Sequence, residues 1–176
     1  TGWMKQRLAL LLAHDINLFA YHLPLDAHPE LGNNAQLGLK LGLSIQGRFG
    51  EQDVGFIGES GAQTAFANAG ALARRIEKEL SRPVTLVGPS EVAIKKIAWC
   101  TGGAQSYFEP AIAAGADVFI TGEISEPQAH YARECGVAYM ACGHHASERY
   151  GALAVAGYIA TQLHLEHEFI DIPNPA

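Results

Sequence analysis

The stretch Lys96–His145, KIAWCTGGAQSYFEPAIAAGADVFITGEISEPQAHYARECGVAYMACGHH, decides the fold because apolar runs alternate in it with helical patterns. The apolar runs predict strands, at Lys96–Cys100, Asp117–Thr121 and Val137–Cys142. The segments between them predict helices, at Gln105–Ala114 and Pro127–Glu134. This order predicts an α/β fold with a mostly parallel sheet covered by helices.

The sequence before this stretch predicts a helix, a strand and a second helix. Apolar residues recur at helical spacing over Lys5–His14, and Asp15–His22 (DINLFAYH) is rich in β-formers. The loop 23–34, LPLDAHPELGNN, precedes a helical pattern over 35–43. We therefore expect Asp26 just beyond the carboxyl end of a strand.

Residues 44–63 carry glycine at short intervals and are interpreted as a connector between a first lobe (1–43) and a second lobe (64–176). In the second lobe, further helices are expected at Thr64–Leu80 and Ala146–Gln162, and further strands at Val84–Val87 and 168–172 (EFIDI). The whole chain is treated as one domain that lacks an N-terminal strand and helices, since it begins at Thr1.

Segments 14–42 and 134–162 follow the same order, which is helix end, apolar strand with aromatics, polar loop and small-residue helix. This internal repeat predicts two pseudo-repeated lobes whose strand ends face one cleft. Asp26 is then expected near His144.

The bulk composition excludes several classes of protein. The formal net charge of -6 comes from interleaved acidic and basic residues, which disfavours direct nucleic-acid binding. The longest apolar runs are too short or too often interrupted by glycine to cross a bilayer, so we expect a cytoplasmic protein without membrane contact. Charged residues make up only 17%, which suggests a surface partly covered by partner subunits.

Two segments carry metal-competent side chains. The loop after the first predicted strand holds His22, Asp26, His28 and Glu30. The segment GHHASE places His144 and Glu148 four residues apart, on one face of a helix. Each has an ordinary structural interpretation, because Asp26 could cap a turn and Glu148 could complement a helix dipole. His145 is expected to pack or to support the metal ligands.

Other polar groups leave alternatives open. The turn CTGGAQS (100–106) could present backbone N–H groups to an anion and support a nucleotide-binding module, although a tight turn is the simpler interpretation. Glu123, after the next strand, could reach the same cleft. A zinc site from Cys135, Cys142, His144 and His145 has unusual spacing, and the three cysteines are expected to be buried free thiols. His164 and His167 are expected on the surface.

Three long blocks of the chain resemble the Nif-three-like dinuclear metal centre proteins, which are also called GTP cyclohydrolase I type-two homologues. They are YHLPLDAHPELGNNAQL, AWCTGGAQSYFEPAIAAGADVFITGEISE and ACGHHASERYGALA. The resemblance implies two divalent metal ions held by Asp26, His144 and a bridging Glu148. The adjacent histidine pair that the family carries nearer its N-terminus has no counterpart ahead of Asp26. The resemblance also implies a ring-shaped (toroidal) homohexamer.

These observations lead to two hypotheses of different class. One is a metal-dependent hydrolase of a small-molecule substrate, in which Glu123 or His145 contacts the substrate or transfers protons. The other is a non-catalytic metal-binding hexamer that holds a partner or buffers metal. His, Asp and Glu ligands suit zinc, iron, manganese or nickel, so the sequence identifies neither the metal nor the substrate.

Overall fold

The structure, a computed structural model, describes residues 1–62 and 64–176. Gln63, the last residue of the predicted connector, lies outside the described residues. The helices are α1 (Gly2–Ala13), α2 (Leu23–Ala27), α3 (Asn33–Leu41), α4 (Ala69–Leu80), α5 (Phe108–Ala113), α6 (Glu126–Cys135), α7 (His144–Ser147) and α8 (Tyr150–Leu163). The strands are β1 (Leu43–Phe49), β2 (Gly55–Ser60), β3 (Thr85–Val87), β4 (Ile97–Trp99), β5 (Val118–Thr121) and β6 (Ala138–Ala141).

The strands form one six-stranded sheet in the order β1-β2-β4-β5-β6-β3. The pairs β4–β5 and β5–β6 are parallel, as the alternating pattern predicts. The pairs β1–β2, β2–β4 and β3–β6 are antiparallel, so the prediction of a mostly parallel sheet is wrong in its outer parts. A short link such as the one between β1 and β2 can join only antiparallel neighbours.

The predicted connector is a β-hairpin of this sheet. Residues 44–49 lie in β1 and residues 55–60 lie in β2, with a short 3-10 turn at Glu51–Asp53 between them, and β2 pairs with β4. Its glycine spacing therefore belongs to strands, including a register shift between Ile45 and Gly47, rather than to a loop. The boundaries of the two lobes stay a prediction.

The α/β prediction itself is confirmed, because helices cover both faces of the sheet. In β4 and β5, alternate side chains point to opposite faces. Ile97, Trp99, Val118 and Ile120 pack in one apolar cluster with α3 and α4, whereas Ala98 and Phe119 pack in the other with α5 and α6. The sheet is thus the middle of three layers and carries the core on both sides.

Two predicted strands do not form. Residues 15–22 and 168–172 are assigned to no strand, and both segments are exposed. A strand is stable only when its N–H and C=O groups pair with a neighbour, and the sheet of the described residues offers these two segments none.

The terminal helix α1 also lies outside the core. It has no buried residue, and it exposes Trp3, Leu8 and Leu12 among other large apolar side chains. In the described parts of the chain, on either side of residue 63, no helix combines the length and the apolar character needed to cross a membrane.

Helix α4 begins five residues later than the sequence predicts. Asn68 caps it, because its side-chain Oδ1 accepts a hydrogen bond of 2.8 Å from the backbone N–H of Ala71. This is the usual geometry of an N-terminal cap, and it sets the start of the helix at Ala69.

The three cysteines are expected to differ in their reaction with a thiol reagent. Burial raises the pKa of Cys100 and of Cys142 to about 12 each, so both thiols stay protonated at neutral pH. Cys135 is exposed, which corrects the prediction that all three are buried. In the folded protein a disulfide reagent should therefore release one equivalent of chromophore quickly, and three after denaturation. The variant Cys135→Ser should release none before it unfolds, and fast reaction of that variant would contradict this account.

Candidate metal centre

The loops after β4, β5 and β6 meet at one edge of the sheet. Their backbones continue the ladder beyond the strands, since the N–H of Gly122 donates to the carbonyl of Gly102 and the N–H of Gly143 donates to that of Gly122, each at 2.8 Å. Ligand sites of open α/β sheets gather beyond the carboxyl ends of parallel strands. The CTGG, TGE and CGHH segments are therefore brought side by side.

His144 lies at the centre of this edge between two carboxylates. Its Nδ1 is 2.6 Å from Oε1 of Glu123, and its Nε2 is 2.8 Å from Oε2 of Glu148. Glu123 also accepts a hydrogen bond of 2.9 Å from Nε2 of Gln105. His144 is therefore in direct contact with both Glu123 and Glu148, all three of which were singled out from the sequence.

The helix expected at Ala146–Gln162 is broken at Glu148. Helix α7 ends at Ser147, and α8 begins at Tyr150. Glu148 has φ of -113° and ψ of 18°, outside the helical region, yet its side chain still returns to His144. The spacing of four residues therefore brings the pair together through a single helical turn.

Asp26 reaches the site from the opposite side, but it does not follow a strand. It lies in the short helix α2 and is buried. Its Oδ1 accepts a hydrogen bond of 2.8 Å from Nδ2 of Asn33, whose own Oδ1 accepts one of 2.7 Å from the N–H of Gly151 at the start of α8. Asn33 thus connects the segment that carries Asp26 to the segment that follows Glu148.

Asp26 and Glu148 line one cavity of about 690 Å³. His22 and Asn33 contribute further polar atoms to it. Its other walls are mostly apolar and come from residues 19–25 and from α8. The two carboxylates therefore share one partly apolar space. The internal repeat stays a prediction, because its first strand, 15–22, does not form and His144 is not among the described residues that line this cavity.

The carboxylates and the imidazole influence one another electrostatically. Burial, followed by the negative charge of Asp26, raises the pKa of Glu148, and the nearby His144 offsets this only in part. The hydrogen bond to Glu123 is the main reason that the pKa of His144 is raised, and the same bond lowers the pKa of Glu123. The raised pKa of Glu148 therefore reflects both its burial and the negative charge beside it.

Asn34 is a structural residue of the site that the sequence pattern did not reveal. It is fully buried, and its Nδ2 donates to the carbonyls of Asp26 at 3.2 Å and Val54 at 3.1 Å. Its Oδ1 accepts from the N–H of Thr101 at 2.8 Å. The only signal in the sequence was the pair of asparagines, which is also typical of turn or helix capping.

Backbone N–H groups in the turn CTGGAQS bond to side chains of the protein itself. The N–H of Gly102 donates to Oγ of Ser147 at 3.1 Å, and the N–H of Ala104 donates to Oγ1 of Thr121 at 3.3 Å. These contacts support the interpretation as a tight turn, and the nucleotide-binding alternative stays a prediction.

The remaining candidate residues lie elsewhere. His145 contacts Asp171 and not the cavity. His28 binds the N–H groups of Glu30 and Leu31, which follow it closely in sequence. The zinc alternative is wrong, because Cys135 is exposed on α6 whereas Cys142 is buried and bonded to the carbonyl of Thr121. His164 and His167 are exposed, as expected.

Across residues 1–62 and 64–176, no three His, Cys, Asp or Glu side chains converge in a geometry ready for a metal ion. Nε2 of His144 is engaged with Glu148, and the carboxylate of Asp26 is engaged with Asn33.

The variant Glu123→Gln is expected to lower the pKa of His144, because it replaces the charged acceptor of the hydrogen bond that is the main cause of the raised pKa. An NMR titration of the His144 ring measures this directly. The stabilisation that comes from the raised pKa of His144 is fully present below the pKa of this group in the unfolded chain, about 6.5. It is lost as the pH rises through the higher pKa of His144 in the folded protein. Glu126→Gln, an exposed change on α6, should leave the titration unaltered. An unchanged His144 titration in Glu123→Gln would contradict the assigned pairing.

Comparison with known proteins places the chain in a family. Residues 1–175 match the family model described as Duf34/NIF3 (NGG1p interacting factor 3). A Neisseria meningitidis protein named "GTP cyclohydrolase 1 type 2 homolog" is 51% identical over 176 residues, which cover all of this chain and 70% of that relative. The Escherichia coli K12 relative of the same name is 45% identical over 99% of this chain and 69% of its own length.

Solved structures agree with this result. The structure described as "protein ybgI, unknown function" has a TM-score of 0.90 and 45% identity, and the match covers all of this chain and 70% of that one. TTHA1606 from Thermus thermophilus has a TM-score of 0.77 and 28% identity over all of this chain and 69% of its own. The chain therefore belongs to the Duf34/NIF3 family.

Proposed function

We propose that this chain binds divalent metal through Asp26, His144 and Glu148, and that the site serves a metal-dependent hydrolase. The observation that carries the proposal is the placement of His144 between two carboxylates at the edge of the sheet. Metal-ligating histidines usually donate the second ring N–H to a carboxylate, which fixes the tautomer and the ring orientation.

Glu123 has the position of that orienting carboxylate. When Nδ1 of His144 donates to Glu123, the lone pair of Nε2 is directed towards Glu148. This assigns Glu123 to positioning the histidine, and not to the proton transfer considered for it from sequence. His145 is not among the described residues that line the cavity, and its role in proton transfer stays a prediction.

Asp26 and Glu148 supply the negative charge that suits a cation. The burial of Glu148, followed by the negative charge of Asp26, raises the pKa of that carboxyl, and a bound divalent ion would offset this effect. Oxygen and imidazole donors of this kind suit zinc, iron, manganese or nickel. The donor types therefore suit a metal, and binding requires Nε2 to exchange its hydrogen bond for the ion and Asp26 to approach the other two ligands.

When bound, a pair of divalent ions lowers the pKa of a coordinated water and orients the reacting oxygen atoms of a substrate. A second ion is proposed from the family resemblance alone. Members of that family carry an adjacent histidine pair, which has no counterpart ahead of Asp26 in this chain. The name of the Neisseria and Escherichia relatives makes GTP the first substrate to assay. A cytoplasmic location belongs to the same proposal.

Metal binding can be tested with Asp26→Asn and Glu148→Gln, which keep side-chain size and remove charge. Equilibrium dialysis with zinc and with manganese, followed by metal analysis, should give an affinity lower by about 100-fold or more, since loss of a residue that only orients a ligand already costs about 10- to 100-fold. Glu134→Gln, an exposed change on α6, is the matched control. Equal metal binding by wild type and Glu148→Gln would overturn the proposal. If the metal-loaded protein turns over neither GTP nor other hydrolase substrates, the hydrolase part of the proposal is overturned.

The second candidate function is a non-catalytic, self-associated scaffold, which is favoured by exposed apolar surface. Large apolar side chains are exposed along α1, at Leu18 and Phe19, and on α8 at Tyr158 and Leu163. Contiguous exposed apolar surface commonly marks an interface, and the resemblance suggests a ring-shaped homohexamer. Light scattering after gel filtration tests the assembly. If Asp26→Asn removes a hydrolytic activity while the assembly persists, the enzyme is favoured over the scaffold.

A further inference from the structure

The segment that follows α8 folds back over the turn that carries two of the candidate metal ligands. Residues 171–176 of this segment are called the strap here. Together with residues 80–82, His145 and Arg149, the strap lines a cavity of about 340 Å³. The backbone N–H of His145 donates to a main-chain oxygen of Ala176 at 3.3 Å. The strap therefore contacts α7 at the residue next to His144.

One carboxylate of the strap contacts the neighbours of both candidate ligands. Oδ2 of Asp171 accepts a hydrogen bond of 2.8 Å from Nη1 of Arg149, and its Oδ1 lies 3.3 Å from Nε2 of His145. His145 directly follows His144 in the sequence, and Arg149 directly follows the second ligand. Asp171 therefore bridges the two ends of the turn that brings His144 within 2.8 Å of Glu148.

The strap is itself fixed to the folded body through Arg82. Nη1 of Arg82 donates to a main-chain oxygen of Ala176 at 2.7 Å, and Nη2 donates to the carbonyl of Pro175 at 2.6 Å. The same guanidinium packs against Gly143, because a Cβ added to that glycine would lie only 2.6 Å from Nε of Arg82. The strap, Arg82 and the start of α7 therefore form one continuous set of contacts.

The turn needs partners outside itself because it is short. Helix α7 has four residues and ends at Ser147. A single helical turn is unstable alone, since fixing its backbone costs conformational entropy and forms few hydrogen bonds. On one side the protein body holds α7, where Oγ of Ser147 accepts a hydrogen bond from the N–H of Gly102. On the other side, Asp171 holds it through His145 and Arg149.

We propose that Asp171 is a positioning residue of the candidate metal centre, which holds the α7 turn so that His144 and Glu148 face the same ion. Asp171 acts through His145 and Arg149 and is not itself a ligand. The part of this inference that concerns the ion rests on the proposed function. The hold on the turn does not, and it can be measured without metal.

Amide hydrogen exchange on the metal-free protein measures the hold on the turn. The N–H of Glu148 closes the turn by donating to the carbonyl of His144 at 3.1 Å, so its exchange rate reports opening of the turn. The ion pair of Asp171 with Arg149 is partly exposed, with 47% and 22% of the side chains accessible. Asp171→Asn should therefore raise the exchange rate by about three- to tenfold.

Zinc affinity separates positioning from a purely structural role, which would leave the affinity of the folded protein unchanged. Equilibrium dialysis of Asp171→Asn should show zinc binding that is weaker by about three- to tenfold. This is less than the roughly 10- to 100-fold cost of losing a residue bonded directly to a ligand. Glu168→Gln, an exposed change ahead of the strap, is the matched control and should alter neither measurement.

A double-mutant cycle identifies the path of the effect. In the Arg149→Gln background the main ion pair of the strap is already broken, so Asp171→Asn should change the exchange rate less than it does in wild type. Equal changes in the two backgrounds would show that Asp171 does not act through Arg149. That result would overturn the proposed path.

The outcomes distinguish this inference from the proposed function. Circular dichroism first establishes that Asp171→Asn is folded. Unchanged exchange of the Glu148 amide in this variant would then overturn the hold on the turn. Faster exchange with unchanged zinc affinity would overturn the positioning role and leave Asp171 as a stabilising residue. If wild type binds no zinc, the proposed function fails, whereas the exchange rates still decide whether Asp171 holds the turn.

Discussion

Replacement of Asn34 by alanine is expected to lower the free energy of unfolding by about 3 kcal/mol or more. The change removes the hydrogen-bond partner of three buried backbone groups. These groups are the N–H of Thr101 and the carbonyls of Asp26 and Val54. Each unsatisfied buried group costs about 1–3 kcal/mol. Chemical denaturation, evaluated by linear extrapolation, measures the loss.

Asn68→Ala is the matched control for this prediction. It removes the cap of α4, where a single hydrogen bond to Ala71 is lost at a partly buried position, and loss of such a cap costs about 0.5–2 kcal/mol. An Asn34 variant no less stable than the Asn68 variant would show that the buried amide does not hold the loops of the site together.

The second large effect is expected for Gly102→Ala. Gly102 has φ of +71°, and a methyl group there would collide with the carboxylate of Glu148. The backbone strain costs about 1 kcal/mol. Displacing a half-buried carboxylate from its hydrogen bond with His144 adds about 1–3 kcal/mol. The expected total loss of stability is about 2–4 kcal/mol, together with an altered His144 titration.

Gly136→Ala separates the two causes. Gly136 has φ of +66°, but nothing lies within 4 Å of the position that its added methyl would take. It should therefore show the backbone strain of about 1 kcal/mol alone and leave the His144 titration intact. Equal losses in the two variants would mean that Gly102 is required for its backbone conformation and not for its contact with Glu148.

The centre of the fold could be predicted because its patterns are local. Each of β4, β5 and β6 lies within its predicted range, since every strand is an uninterrupted apolar run that ends before a glycine. A spacing of four residues was enough to predict the contact between His144 and Glu148. Parallel neighbours then bring Glu123 beside them.

The features that the sequence did not predict depend on distant contacts. Asn34 bonds to Thr101, 67 residues away, and no local pattern distinguishes such an amide from a turn residue. The pairing of β1 with β2 was missed because their glycines resemble those of a loop. The segment Asp15–His22 has the composition of a strand but no neighbour in the described sheet. Composition therefore predicted which residues favour strands, but not which strands would find partners.

His144 and Glu148 are expected to hold a divalent ion beside Asp26, and anomalous diffraction from zinc-soaked crystals can locate that ion. We predict an anomalous peak about 2.0–2.2 Å from Nε2 of His144 and from a carboxylate oxygen of Glu148, with Glu123 still bonded to Nδ1. A zinc peak at another place, with the contact of 2.8 Å between Nε2 and Glu148 intact, would contradict it.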